Sequence, residues 1–113
     1  LVALIDFNGY QLDGSSSEIM PLAPLFEKFL AFQWNVSPTV FNGHDVPNIL
    51  RALEWVNQQK EWPVVVIFKT KKGRGISFTE DTHKFHGAVI DDQAYGKGRP
   101  ELVKTLAELE VAL

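Results

Sequence analysis

The sequence LVALIDFNG at residues 1–9 decides the fold, because an apolar run ends there in polar turn residues. The first five residues have the composition and length of a buried parallel strand. Asp6 and Asn8 then carry oxygen atoms at the carboxyl end of that strand, where α/β sheets bind ligands. Such oxygens suit Mg²⁺ or Ca²⁺ holding a diphosphate. The alternative is a simple turn over residues 6–9, since Asp, Asn and Gly dominate turns for backbone reasons.

The remaining apolar runs predict alternating helices and strands. We expect a helix with Pro21 and Pro24 in its opening turn, running to about residue 32. A strand should follow over residues 36–41, which Pro38 makes irregular or places at an edge. Asp45 is a good N-cap for a helix to about residue 59. Residues 64–68, which are all apolar, form the clearest buried strand.

The carboxyl-terminal part is predicted as a long functional loop over residues 69–98, followed by a helix from about Pro100. The apolar face of this last helix is expected to contain Leu102, Val103, Leu106, Leu109 and Leu113. The resulting order, β-α-β-α-β-loop-α, predicts a three-layer α/β fold with a mostly parallel sheet flanked by helices.

Composition restricts the functional class. The chain has 113 residues, 45% of them hydrophobic, and a formal net charge of −3, which indicates one globular domain without affinity for nucleic acid. No apolar run is long enough to span a membrane, and no signal peptide is recognisable. With no cysteine there is no thiolate site, and a cytoplasmic enzyme is the expectation. Because the chain begins at Leu1 inside a predicted strand, we expect it to be a fragment of a longer protein.

Loops after the three predicted strands contain the candidate chemistry. Four cations lie between residues 69 and 74, which is typical either of a solvated surface or of attraction for a phosphorylated ligand. His86 can move protons near neutral pH, although a histidine beside glycine is more often a turn or surface residue. His83 is expected to be exposed or outside direct ligand contact, and His44 to belong to the start of a helix.

Several segments, in this order, resemble the transketolase family of thiamine-diphosphate enzymes. The likeness is to the second half of the diphosphate-binding motif and to later landmarks, especially those of the N-terminal-section subunit of split transketolases. The segments are residues 6–14, 18–22 (EIMPL), 32–36 (FQWNV), 42–45 (NGHD), 69–75 (KTKKGRG) and 85–87 (FHG). The resemblance implies a partial thiamine-diphosphate-binding fold, with residues 1–113 as the carboxyl-side part of the diphosphate-binding domain.

The resemblance also implies roles for particular residues. Asn8 would ligate the metal through its side-chain oxygen, and Tyr10 through its backbone carbonyl. Leu12 would lie near the thiazolium ring of the cofactor. Lys72 would lie near the cofactor, and His86 beside the diphosphate and the reacting carbonyl as a catalytic residue.

By the same resemblance, the parent enzyme transfers a two-carbon ketol unit between sugar phosphates, using thiamine diphosphate with Mg²⁺ or Ca²⁺. Within that enzyme, the part that contains this chain would pair with a pyrimidine-binding subunit or domain. The parent enzyme would assemble as a homodimer or heterotetramer. The family's Gly-Asp-Gly and its pyrimidine-activating glutamate are not in this sequence, so the isolated chain is expected to be inactive. Phe7 stands where many relatives have Asp or Asn, and Phe85 where split relatives usually have Trp.

Two other interpretations remain open. The chain could derive from a related thiamine enzyme, 1-deoxyxylulose-5-phosphate synthase or dihydroxyacetone synthase. It could also be a non-catalytic α/β module that uses its sheet edge for assembly. The sequence upstream of Leu1 would test the non-catalytic interpretation, since a Gly-Asp-Gly there would complete the metal site and its absence would favour the assembly module.

Overall fold

A computed structural model of the protein describes residues 1–111. Its elements, in chain order, are β1 (Val2–Phe7), β2 (Tyr10–Gln11), β3 (Gly14–Ser15), α1 (Ser16–Ile19), α2 (Leu25–Ala31), β4 (Asn35–Val36), β5 (Phe41–Asn42), α3 (Val46–Gln58), β6 (Val64–Lys69) and α4 (Asp92–Val111). They fall into two compact units, one of residues 1–8 with 20–70 and the other of residues 9–19 with 71–111.

The sheet of the first unit is parallel throughout, as the sequence predicts. Strand β6 pairs with β1 on one side and with β4 and β5 on the other. The pairing of β1 with β6 is parallel and runs from Val2 opposite Val64 to Phe7 opposite Lys69. The continuously apolar sequence of β6 is explained by this central position, because both of its faces are covered.

The core lies on both faces of β6. Val66 and Phe68 pack with Phe41 and Ala52 on the face covered by α3. Val65 and Ile67 point the other way and form a cluster with Val36, against which residues of α2 pack. Alternate side chains of one strand therefore hold two helical layers, and this confirms the three-layer α/β prediction.

Local sequence explains where the elements of this unit begin and end. The Asp45 carboxylate accepts a hydrogen bond from the backbone N–H of Asn48 at 3.1 Å and caps α3 as predicted. The predicted strand over residues 36–41 is divided into β4 and β5, with Pro38 in the interruption. Helix α2 has Pro24 as its N-cap, so Pro21 lies before the helix and not in its predicted opening turn.

The second unit contains a short hairpin and a long helix. Strands β2 and β3 pair antiparallel, with Tyr10 opposite Ser15. Helix α4 begins at Asp92, so the predicted helix start near residue 100 is wrong, and the connection predicted over residues 69–98 ends at residue 91. The Asp91 carboxylate accepts a hydrogen bond from the Ala94 backbone N–H at 2.8 Å and stabilises this earlier start.

Gly98 lies inside helix α4, where its lack of a side chain allows close packing of neighbouring residues. A Cβ atom on Gly98 would lie 3.3 Å from Ile76 and 3.6 Å from Phe78, so the small residue lets these side chains approach the helix. The described members of the predicted apolar face are exposed: Leu102, Val103, Leu106 and Leu109. Leu113 lies outside the described residues. None of the helices within residues 1–111 is long and apolar enough to cross a membrane.

Candidate functional site

Three strands of the first unit end at the same edge of the sheet. Phe7 of β1 and Asn42 of β5 both pair with Lys69 at the end of β6. The Thr70 hydroxyl donates a hydrogen bond to the Asp6 carboxylate. Asp6 thus links the end of β1 to the residue that follows β6.

The segment after β5 packs tightly against β6. The Gly43 backbone N–H donates to the Lys69 carbonyl at 2.9 Å. A Cβ atom on Gly43 would lie 2.5 Å from Cγ2 of Thr70, so only glycine allows this approach. The His44 N–H donates to Oδ1 of Asn42 at 3.0 Å, which places His44 in the turn before α3, as expected.

Asn8 follows the last residue of β1 directly, at the carboxyl edge predicted for the ligand. It is half-buried. Next to it, the ammonium of Lys69 lies 5.2 Å from the centroid of the Phe7 ring. This cation–π contact gives Phe7 a structural role at the end of β1.

Tyr10 and Leu12 lie in the hairpin of the second unit. Tyr10 is the first residue of β2, and Leu12 is in the turn, with 60% of its surface exposed. Gly9 has a φ of +81°, which glycine adopts without strain, and its carbonyl accepts a hydrogen bond from the Ser16 N–H at 2.8 Å. The hairpin therefore has a defined turn on each side of Tyr10.

Two predicted site residues, Lys72 and His86, come together in the second unit. Nζ of Lys72 lies 3.4 Å from Nδ1 of His86, although 14 positions separate the two residues. The backbone N–H of His86 donates to the carbonyl of His83 at 2.9 Å and forms a turn. The ring of Phe85 packs edge-on against Phe78 at 5.4 Å between centroids, which anchors the residue just before His86.

The basic run is only partly available to a ligand. Nζ of Lys71 forms ion pairs with Glu80 at 3.0 Å and Asp81 at 3.5 Å. These interactions raise the pKa of Lys71, first through its hydrogen bond to Glu80. The charge of Lys71 is therefore partly neutralised by the neighbouring carboxylates.

The available donors fit a hard divalent cation in part. Among residues 1–111, no three His, Cys, Asp or Glu side chains come together as a metal site. The amide oxygen of Asn8 and the carbonyl of Tyr10 are oxygen donors of the kind that Mg²⁺ and Ca²⁺ prefer.

Sequence reasoning missed two residues that organise these segments. Thr70 bonds Asp6, and Glu80 bonds both Lys71 and the backbone N–H of Gly75. The order KTKKGRG followed by a glutamate contained a usable signal, since an acid soon after a basic glycine-rich run can close it into a compact loop.

Comparison with known proteins identifies the family. The model for "Transketolase, thiamine diphosphate binding domain" matches residues 1–103. The 6-deoxy-6-sulfo-D-fructose transketolase subunit SqwG of Clostridium sp. (strain MSTE9) is 34% identical over 92% of this chain and 37% of its own length. An apulose-4-phosphate transketolase subunit from Phocaeicola vulgatus is 31% identical over 97% of this chain and 38% of its own length.

A solved structure agrees with the fold. Transketolase from Campylobacter jejuni subsp. jejuni NCTC 11168 superposes with a TM-score of 0.76 and 24% identity, over 90% of this chain and 16% of that one. The chain therefore spans well under half the length of the relatives it matches. Together, the match over residues 1–103 and the parallel sheet show that this chain belongs to the family of the transketolase thiamine-diphosphate-binding domain.

Proposed function

We propose that the chain supplies the carboxyl-side part of the diphosphate-binding domain of a transketolase-type transferase. The complete enzyme would transfer a two-carbon ketol unit between sugar phosphates, with thiamine diphosphate and Mg²⁺ or Ca²⁺ as cofactors. The observation that supports the proposal is the contact of Lys72 with His86, because a cation there lies beside an imidazole, a group suited to proton transfer, within the part of the chain that matches the family.

Each proposed site residue has a distinct task. Asn8 and the Tyr10 carbonyl contribute oxygens to the divalent metal, and Leu12 offers an apolar contact to the thiazolium ring. Lys72 opposes the negative charge of the diphosphate, and His86 moves a proton to or from the substrate oxygen. Thiamine diphosphate, when bound, supplies the electron sink for carbon–carbon bond cleavage.

The names of the relatives support a partner and a substrate class. Both bacterial relatives are named as subunits, and their names refer to a sulfosugar and a sugar phosphate. We therefore propose an anionic sugar, in the first place a sugar phosphate, as substrate and a pyrimidine-binding subunit or domain as partner. The assembly would be a homodimer or a heterotetramer in the cytoplasm.

The metal assignment is tested by replacing Asn8 with Ala in the complete enzyme and titrating thiamine diphosphate by calorimetry in the presence of Mg²⁺. Loss of a ligand should weaken cofactor affinity by at least about 10-fold, the lower end of the effect of removing even an outer partner of a metal site. Asn57→Ala, at an exposed position of α3, is the matched control and should bind normally. Equal affinities of the Asn8 and Asn57 variants would contradict the assignment.

A further inference from the structure

Residues 71–81, here called the basic loop, close on themselves. Gly73 has a φ of +68°, and a Cβ atom there would lie 2.1 Å from the Thr79 carbonyl oxygen. The buried Thr79 hydroxyl lies 2.7 Å from the Gly73 carbonyl and 2.9 Å from that of Ile76. The two arms of the basic loop are therefore in direct contact, and glycine at position 73 is what permits it.

Glu80 joins both arms through its two carboxylate oxygens. Oε1 accepts a hydrogen bond from the Gly75 backbone N–H at 3.1 Å, and Oε2 accepts one from Nζ of Lys71 at 3.0 Å. The hydrogen bond from Gly75 is the main cause of a lowered pKa for Glu80, followed by the bond from Lys71. The ionised carboxylate is thus the form that fits the basic loop.

Lys72 is held between these fixed points. Its neighbour Lys71 is bound to Glu80, its neighbour Gly73 contacts Thr79, and its own carbonyl accepts a hydrogen bond from the Asp81 N–H at 3.0 Å. With the backbone constrained on both sides, fewer conformations are open to the lysine side chain. The side chain ends with Nζ at 3.4 Å from Nδ1 of His86.

We propose that Glu80 is a positioning residue that, by closing the basic loop, holds Lys72 against His86. This inference rests on the proposed function for its catalytic consequence, because Lys72 and His86 are the groups assigned to the cofactor and the substrate. The hydrogen bonds of Glu80 go to Lys71 and Gly75 rather than to Lys72 or His86, so Glu80 acts through the backbone of the basic loop. The geometric part of the inference concerns the Lys72–His86 pair alone.

The geometric part is tested by histidine-selective NMR on the full chain, with His86 signals assigned from a His86→Gln variant. Lys72→Met defines the ring signal of His86 without its lysine neighbour. Glu80→Ala should shift the His86 signal most of the way to that position. An unchanged His86 signal in Glu80→Ala would overturn the proposal, whatever the enzyme assay gives.

Matched variants separate positioning from general loosening. Glu101 also binds the basic loop, with both oxygens on Ser77 at 2.6 and 2.7 Å, so Glu101→Ala loosens the loop elsewhere. It should leave the His86 signal near its wild-type position, and a shift as large as that of Glu80→Ala would overturn a specific role for Glu80. If Glu80→Ala does not fold, Glu80→Gln decides, because it keeps an acceptor for Gly75 and loses the charge facing Lys71. A partial shift in Glu80→Gln supports the proposal, and no shift overturns it.

The catalytic consequence is read in the complete enzyme by a double-mutant cycle. A misplaced lysine should lower turnover by up to about 10²-fold, as small displacements of catalytic groups do. If Glu80 acts through Lys72, Glu80→Ala should have little further effect once Lys72→Met is present. If the rate effects of Glu80→Ala and Lys72→Met were fully additive, the proposal would be overturned. A Lys72→Met enzyme with a normal rate would contradict the proposed function, and the NMR result would still decide whether Glu80 positions Lys72.

Discussion

At the scale of single residues, the proposed function depends most on the contact of Lys72 with His86. Sequence reasoning selected each residue from its likeness to the family, but it gave no distance between them. That distance depends on the turn from His83 to His86 and on the packing of Phe85 on Phe78. Such contacts are set by tertiary packing, which a one-dimensional pattern does not encode.

His86→Ala in the complete enzyme should lower the rate of ketol transfer by about 10²–10⁴-fold, the usual contribution of acid–base catalysis. The fold should persist, because the hydrogen bond of His86 to His83 uses backbone atoms. Steady-state kinetics with a ketose phosphate donor and an aldose phosphate acceptor measure the effect.

His83→Ala is the control for this prediction. It retains the carbonyl that accepts from His86 and removes only an imidazole with no assigned role in the reaction. It should therefore stay close to the wild-type rate. Equal losses in the two variants, or a His86→Ala enzyme at full rate, would return His86 to a turn role.

At the scale of elements, strong hydrophobic periodicity was sufficient to predict the bounds of a strand and a helix, whereas glycine in a helical segment led to a wrong helix start. The strand at residues 64–68 and the helix after Asp45 were predicted to within about a residue, because a buried strand and a capped amphipathic helix have distinct patterns. The predicted start of α4 was about eight residues too late, because Gly96, Gly98 and Pro100 are residue types typical of loops. Its true start was signalled by Asp91, whose carboxylate accepts from the Ala94 N–H.

The basic loop should respond to acid through Glu80. Its pKa in the folded loop lies below the ordinary value of 4.5, so its stabilising contribution is complete above that value and is lost as the pH falls through the lower folded pKa. The Gly75 amide signal, followed by NMR against pH, should therefore titrate with a midpoint below 4.5. Glu80→Gln should abolish this titration, and a midpoint at or above 4.5 in the wild-type chain would contradict the prediction.

At the scale of the whole molecule, family membership was predicted because several short segments stand in the family's order, and the match over residues 1–103 confirms it. The fold class was predicted because strands and helices alternate. The composition of the metal shell was not accessible in the same way. Of the ligands that the resemblance implies, only Asn8 and the Tyr10 carbonyl belong to this chain.

The chain alone should neither bind thiamine diphosphate tightly nor catalyse ketol transfer. Divalent metals at oxygen sites need about six donors, and this chain is proposed to supply two. Calorimetry with thiamine diphosphate and Mg²⁺, together with a coupled ketol-transfer assay, should give no measurable binding in the micromolar range and no turnover. The complete enzyme is the positive control, and turnover by the chain alone would contradict the two-ligand assignment.

The division of one edge of the sheet into β4 and β5 has a consequence for how this sequence can change in length. Both short strands pair independently with β6, β4 near its beginning and β5 near its end. An extra residue between Thr39 and Val40, which are exposed, would lengthen a surface connection and leave both pairings in register. The same insertion between Val65 and Val66 would turn every later side chain of β6 to the opposite face and separate the strand from one of its two helical layers. Related chains of different length should therefore carry their insertions and deletions between β4 and β5, and should keep the same number of residues within β6.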